Sequence, residues 1–181
     1  MTPKMGYEMT SKIPREGLPG KTSFLQAREE RMNDTPETLA VIGNLLESQR
    51  LAVLSTQNHG QPYCNLIAIA ATDDLRHLLF ATTRATRKYA NLMADSRVAV
   101  LVDNRQNDVS DFTGAAALTA LGKAWELQGA ERQQFLKVYL GKHPYLEEFV
   151  TSPTCALLRI KVDKYIVVTR FQEVREIQIQ A

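Results

Sequence analysis

The sequence predicts a mainly β domain with flanking helices, its strands closed into a small barrel. Three observations carry that reading. Short apolar or alternating runs separated by turn residues recur along most of the chain, only a few segments have a helical apolar period, and no Rossmann glycine fingerprint or internal repeat is present. At 181 residues, with 44% hydrophobic and 23% charged residues, the chain has the size and composition of one globular domain with a tail.

Residues 1–34 are rich in Pro, Gly, Lys and Met without sustained periodicity and read as an extended or partly ordered arm, available to wrap a neighbour; the domain proper is 35–181. TPETLAVIGNLLES begins with a Thr35 cap and Pro36 at the first helical position, and it places Leu39, Ile42, Leu45 and Leu46 on one face of a helix. LAVLST (51–56), PYCNLIAIAA (62–71) and LLFAT (78–82), joined by QNHGQ and TDDLRH, read as an antiparallel meander. ATTRATRKYANL (81–92) follows as a helix of roughly three turns, with Ala85, Tyr89, Leu92 and Met93 at core spacing.

RVAVLVD (97–103) is almost continuously apolar, which predicts a strand buried on both faces. AAALTALGKAWEL (115–127) is long enough to cross a barrel, with a bend or bulge at Gly122. AERQQFLKVYLGKHP reads as a helix ended by Gly141 and Pro144, and YLEEFV as a further turn. CALLRIKV (155–162), KYIVVTRF and VREIQI supply the last strands, for a total of six or seven.

Charge and composition narrow the function. A net charge of +2 gives no global electrostatic case for nucleic acid or an anionic membrane, so any basic site is local. No apolar run reaches membrane-span length and the N-terminus lacks a secretory h-region, so the expectation is a soluble cytoplasmic protein. Cys64 and Cys155 sit in apolar strand surroundings and read as buried thiols. GLPGKTS (17–23) lacks the first glycine and the preceding strand of a phosphate loop. His59, His77 and His143 fall in separate turns or at a helix end and read as solvated, without the spacing of a metal site. Ser55 has no nucleophile-elbow context, and Asp73–Asp74 and Glu147–Glu148 read as solvated carboxylates.

The remaining chemistry lies in the stretch that opens the second helix. Arg84, Arg87 and Lys88 crowd its N-terminus with no acid before Asp95, although helix N-termini favour acidic side chains. Such a cluster is either a solvated basic face or a site for an anion. Amides, dipole, guanidinium forks and the hydroxyls of Thr83 and Thr86 together suit a phosphate.

Around these residues, FATTRATRKYANLMADSRVAVLV, preceded by GQPYCNLIAIA and followed by LTALGKAWEL, resembles the FMN-binding split-barrel proteins related to pyridoxamine 5'-phosphate oxidase. The resemblance spans roughly residues 36–175 and is most specific in its middle third. It implies a six-stranded split, Greek-key barrel and a homodimer with FMN at the interface. By the same resemblance Thr86, Arg87 and Lys88 hold the FMN phosphate and Thr82 lies beside the cofactor, with Thr83 counted at the same site for its hydroxyl. Asn65, Leu66, Ile67 and Ala68 form the strand along the flavin, and Asp103, Asn104 and Arg105 form a loop near the flavin of the dimer, although a plain turn explains Asp103–Asn104 equally well.

Departures from the oxidase are equally specific. Asn65 and Ala70 stand where the oxidase has an Arg and a substrate Lys, Ala117 falls near its glutamine, and VTRFQEVREIQI lacks its C-terminal Trp and Arg-x-His signature. The resemblance therefore implies a flavoprotein oxidoreductase of the broader group that includes nitroimidazole-resistance-type reductases, acting on a small acceptor with NAD(P)H as donor. A non-catalytic binder of FMN, haem or a deazaflavin on the same barrel is the alternative. Neither nucleic acid, membrane nor metal is expected as a partner.

Overall fold

The computed structural model describes residues 35–170 and 173–179. The arm expected over 1–34 and the GLPGKTS segment lie outside the described residues. Helix α1 (Thr35–Ser48) buries Ile42, Leu45 and Leu46 as its period predicts. It leads into β1 (Leu51–Asn58), β2 (Gln61–Ala71) and β3 (His77–Thr83). The β1–β2 hairpin turns on His59 and Gly60, both at positive φ (49° and 83°), as a two-residue turn that follows strand twist requires.

After β3 come α2 (Arg87–Ala94), β4 (Arg97–Asp103), α3 (Asp111–Gly114) and β5 (Ala116–Glu126). Helix α4 (Gly129–Lys142), a 3-10 turn (Pro144–Leu146) and α5 (Glu147–Thr151) then lead to β6 (Cys155–Thr169) and β7 (Glu173–Gln178).

The strand order is β3-β2-β1-β4-β5-β6-β7, and an additional β3–β6 pairing closes six strands into an antiparallel barrel with β7 appended. The bulge expected at Gly122 is present as a register shift between Leu121 and Gly122. A Cβ at Gly122 would lie 2.2 Å from the Lys161 carbonyl oxygen, so the close approach of β5 and β6 needs glycine there. Inside the barrel, Leu54, Ile69, Phe80, Val100, Leu118 and Leu158 belong to one buried cluster. A second, under α4, contains Leu79, Leu127, Phe135, Tyr139, Val150 and Leu157.

Several expectations are corrected. CALLRIKV and KYIVVT (164–169) form one 15-residue strand, β6, because Asp163 stays extended between them. β4 is buried on one face only: Val98, Val100 and Val102 point inward while Leu101 is exposed. The helix over 81–92 begins only at Arg87, so it is shorter; Asn91 and Leu92 turn inward, leaving Ala85 and Met93 exposed. Cys64 faces outward from β2 and is exposed, whereas Cys155 is buried. His143 is buried, because the chain turns inward after α4 and its Nε2 meets the Ile69 carbonyl at 2.9 Å.

Candidate functional site

The barrel is split between β2 and β3. These strands pair only through Ile69, Ala70 and Ala71 of β2 against Phe80, Leu79 and Leu78 of β3. Ahead of that, β2 pairs with β1 alone, while Thr82 and Thr83 pair with β6. The gap lies beside the β3–α2 turn.

The turn is built by hydroxyls. Thr86 is the N-cap of α2: its Oγ1 donates to the Thr83 carbonyl (2.9 Å) and accepts from the Tyr89 amide (3.4 Å). Its single proton being used, the 3.1 Å contact with buried Thr82 is a bond donated by Thr82. At N1 and N2 of α2, the amides of Arg87 and Lys88 have no intrahelical acceptor, which leaves two donors at the positive end of the dipole.

The cations at this turn divide. Arg84 is consumed structurally. It pairs with Glu126 at the end of β5 and donates to the Pro153 carbonyl (2.8 Å). Glu126 also accepts from the Tyr89 hydroxyl (2.6 Å) and the Gln128 amide (2.8 Å). Burial alone would raise the Glu126 carboxyl, but the bonds from Arg84 and Tyr89 outweigh it and hold it below the ordinary carboxylate value. Arg87 and Lys88 have no carboxylate partner among the described residues; Arg87 lies over the Tyr63 ring, 4.8 Å from its centroid.

Behind Tyr63 runs a buried polar chain. The Asn91 side-chain amide donates to Thr56 Oγ1 (3.0 Å), and that hydroxyl donates to the Tyr63 carbonyl (3.3 Å). Two positions along β2, Asn65 Oδ1 is buried with no donor among the described residues. A buried acceptor left unpaired is costly, so the carbonyl of Asn65 is the group a bound ligand would satisfy.

The sequence-predicted residues are distributed unevenly. Thr82, Thr83, Thr86, Arg87 and Lys88 converge at the β3–α2 turn, and Asn65 lies on the same strand face as Tyr63. The Ile67 side chain is sealed in the core, Leu66 points outward and is 63% exposed, and Ala68 packs against the cluster under α4; these three can reach the split only through their backbone. Asp103, Asn104 and Arg105 lie at the far end of β4 from the Arg97 end that adjoins α2. Asp103 and Arg105 pair at 3.2 Å, and Asn104 Oδ1 accepts from the Ala116 amide (2.7 Å). Within one chain this loop stands apart from the turn.

Tyr63, Thr56, Asn91 and Glu126 escaped sequence reading. Asn91 left one signal, a polar side chain beside Leu92 on the inward face of a short helix. Where the oxidase resemblance places a substrate Lys, Ala70 is buried beneath α4, and Arg170 and Arg175 both face Glu173, at 3.4 and 3.8 Å.

The fold places the chain among known proteins. It is similar to a protein from Clostridium acetobutylicum related to general stress protein 26 of Bacillus subtilis, described as of the pyridoxinephosphate oxidase family (16% identity, 79% of this chain and 95% of that one, TM-score 0.62). It is likewise similar to an FAD-binding protein from Mesorhizobium loti (19%, 69% and 89%, 0.56). A third likeness is to a haem-binding protein from Mycobacterium smegmatis (13%, 74% and 55%, 0.66), of which the chain spans only about half the length. No curated protein matches the sequence. Residues 40–169, which contain all six barrel strands, match the family model described as pyridoxamine 5'-phosphate oxidase, and the chain belongs to that family.

Proposed function

We propose that this protein is an FMN-dependent oxidoreductase that passes electrons from NAD(P)H to a small acceptor and is not a pyridoxamine 5'-phosphate oxidase. The observation that carries the reading is the pair Arg87–Lys88 on an open helix start with no carboxylate partner among the described residues. Two cations and two amides suit a phosphate monoester, and the donorless Asn65 carbonyl suits an N–H or O–H of the rest of the ligand. FMN has all of these groups. Bound there, it would supply the redox chemistry, and the protein its orientation.

Each residue then has a separate task. Arg87 and Lys88 neutralise the phosphate, and Thr86 keeps the helix amides aimed at it by capping the turn. The Arg84–Glu126–Tyr89 network fixes the turn to β5 without drawing Arg87 into an ion pair. Backbone of β2 next to the split offers hydrogen-bonding groups that β3 does not take.

A second copy of the chain is the proposed partner. On the outward face of β2, β1 and β4, Leu66, Val53 and Leu101 stand directly across from one another, a row of apolar side chains whose two ends are exposed. Such a row suits a two-fold contact that would also wall the split.

Substrate choice follows from charge. A phosphorylated substrate needs a cationic clamp of its own, yet Ala70 is buried and apolar and the Arg170 and Arg175 guanidinium groups face Glu173. A less charged acceptor, a nitro compound or a quinone, fits better. The deciding measurement is the absorption spectrum of the purified protein, followed by NADH and NADPH oxidation with a nitro compound or quinone. Flavin bands with turnover support the proposal. Flavin bands without turnover would favour a binding protein, and a Soret band would favour haem. Hydrogen peroxide from pyridoxamine 5'-phosphate and oxygen would restore the oxidase reading.

A further inference from the structure

A second concentration of positive charge lies at the opposite end of β3 from the Thr82–Thr86 turn. On the outward face of four adjacent strands the register sets Arg97, Lys123, Lys161 and His77 directly across from one another. Like charges placed opposite each other in a sheet repel, and the neighbouring Lys123 and Lys161 have no acidic partner among the described residues. Of the arginine and two lysines in the row, only Arg97 is neutralised, by Asp95.

This row borders a cavity of about 450 Å³ whose lining includes Arg76, His77, Trp125, Arg159 and Lys161. Arg159 is held rigidly there. Its guanidinium carbon lies 4.9 Å from the centroid of Trp125 and 5.6 Å from that of Phe135, and its Nη1 meets Glu131. Its Nε is buried with no acceptor among the described residues. The wall thus combines an oriented, under-satisfied guanidinium, a lysine facing another lysine, an exposed arginine and a tryptophan.

We propose that this cavity binds a small phosphorylated ligand carrying a flat ring, a mononucleotide in chemical class. Phosphate oxygens relieve the Lys123–Lys161 repulsion and give the Arg159 Nε–H an acceptor; Trp125 offers the ring an aromatic neighbour. The site's small volume and the net charge of only +2 favour a small molecule over a nucleic acid, which needs a long basic track. The inference is independent of the flavin reading, since β3 holds the two sites at its two ends, about 20 Å apart along the strand.

Trp125 is the sole tryptophan, so its fluorescence reports on the site directly. The full-length protein is titrated with adenosine diphosphate, inorganic pyrophosphate and adenosine at near-physiological salt, with calorimetry in parallel. The diphosphate should give a saturable change in emission and bind more tightly than either fragment. Lys123→Ser together with Lys161→Ser, both exposed and relieved of mutual repulsion, should weaken it by about tenfold or more. Arg76→Ser, on an exposed turn, is an independent variant expected to weaken it less. Flavin content should stay the same in all three proteins. Unaltered affinity in the lysine double variant, no saturable response, equal binding of pyrophosphate and the nucleotide, or binding of single-stranded oligonucleotide but not of the nucleotide would each overturn the assignment.

Discussion

The guanidinium carbon of Arg87 lies 4.8 Å from the centroid of the Tyr63 ring, a contact that ties α2 to β2 without neutralising the charge. Cation–aromatic attraction orients an arginine yet leaves its forked donors for a ligand, which an ion pair would not. Three residues earlier, Arg84 makes the opposite choice and is paired with Glu126.

The first prediction tests that difference. Arg87→Ala combined with Lys88→Ala should lower FMN affinity by roughly a hundredfold or more, since each charge-assisted phosphate bond contributes about 1.5 to 3 kcal/mol. Both side chains are outside the core, so the unfolding midpoint of the flavin-free protein should barely move. Equal retention of FMN in parent and variant would remove the basis for the site.

Gly122→Ala should destabilise the barrel by about 2 to 4 kcal/mol, by the overpacking of a tight β5–β6 crossing. A Cβ there meets backbone, the Lys161 carbonyl at 2.2 Å, which cannot rotate away as a side chain could. Chemical denaturation of the flavin-free protein checks this; a loss of only a few tenths of a kcal/mol would show that the strands can separate at little cost.

Stability should decline as pH falls below about 6.5. Burial pushes the His143 imidazole below its ordinary value, an effect partly offset by the bond to the Ile69 carbonyl. His77 is shifted the same way, by burial and then by Arg159. A folded-state value below the unfolded one means that the unfolded chain takes up the proton first. The stabilisation is therefore full above the unfolded value, is lost as pH falls between the two, and is gone below the folded one. Denaturation midpoints followed from about pH 7 to pH 5 should fall less steeply in His143→Gln than in the parent. Identical slopes would locate the titration elsewhere.

Assembly gives a fourth expectation. Leu101→Glu and Leu66→Glu, each at an end of the row through Val53, should convert a dimer to monomer and weaken FMN retention together, as expected of a cleft walled by the second copy. Light scattering and flavin absorbance decide. A flavin-loaded monomer of the parent protein at micromolar concentration would sink the shared-cleft arrangement.

The strands were legible because hairpin turns, alternation and the glycine bulge are local signals, and each reappears in the barrel at the expected place. The charge that Arg87 and Lys88 bring to a helix start was legible for the same reason, whereas the Thr86 cap that sets where the helix begins was not. The rest of what could not be read was set by distance in the chain. Arg84 looked like part of the anion site until the fold brought Glu126 to it, 42 residues on. His143 looked like a turn histidine until the carbonyl of Ile69 arrived from 74 residues away. Leu66, Ile67 and Ala68 share one motif but alternate across the sheet, so a motif match alone does not say which side chains face the split.

The β3–β6 pairing joins His77–Thr83 to residues 155–161 and closes the barrel late in synthesis. Until β6 has emerged, β3 keeps an open edge next to the β3–α2 turn, and β5 lacks its outer neighbour. Closure of such distant segments carries a large loop entropy, so folding should be slow, and a chain halted before Cys155 should present unpaired apolar edges that invite aggregation or chaperone capture. The strand that completes the barrel is thus also the last to be made: no truncated product lacking it can close the sheet beside the β3–α2 turn.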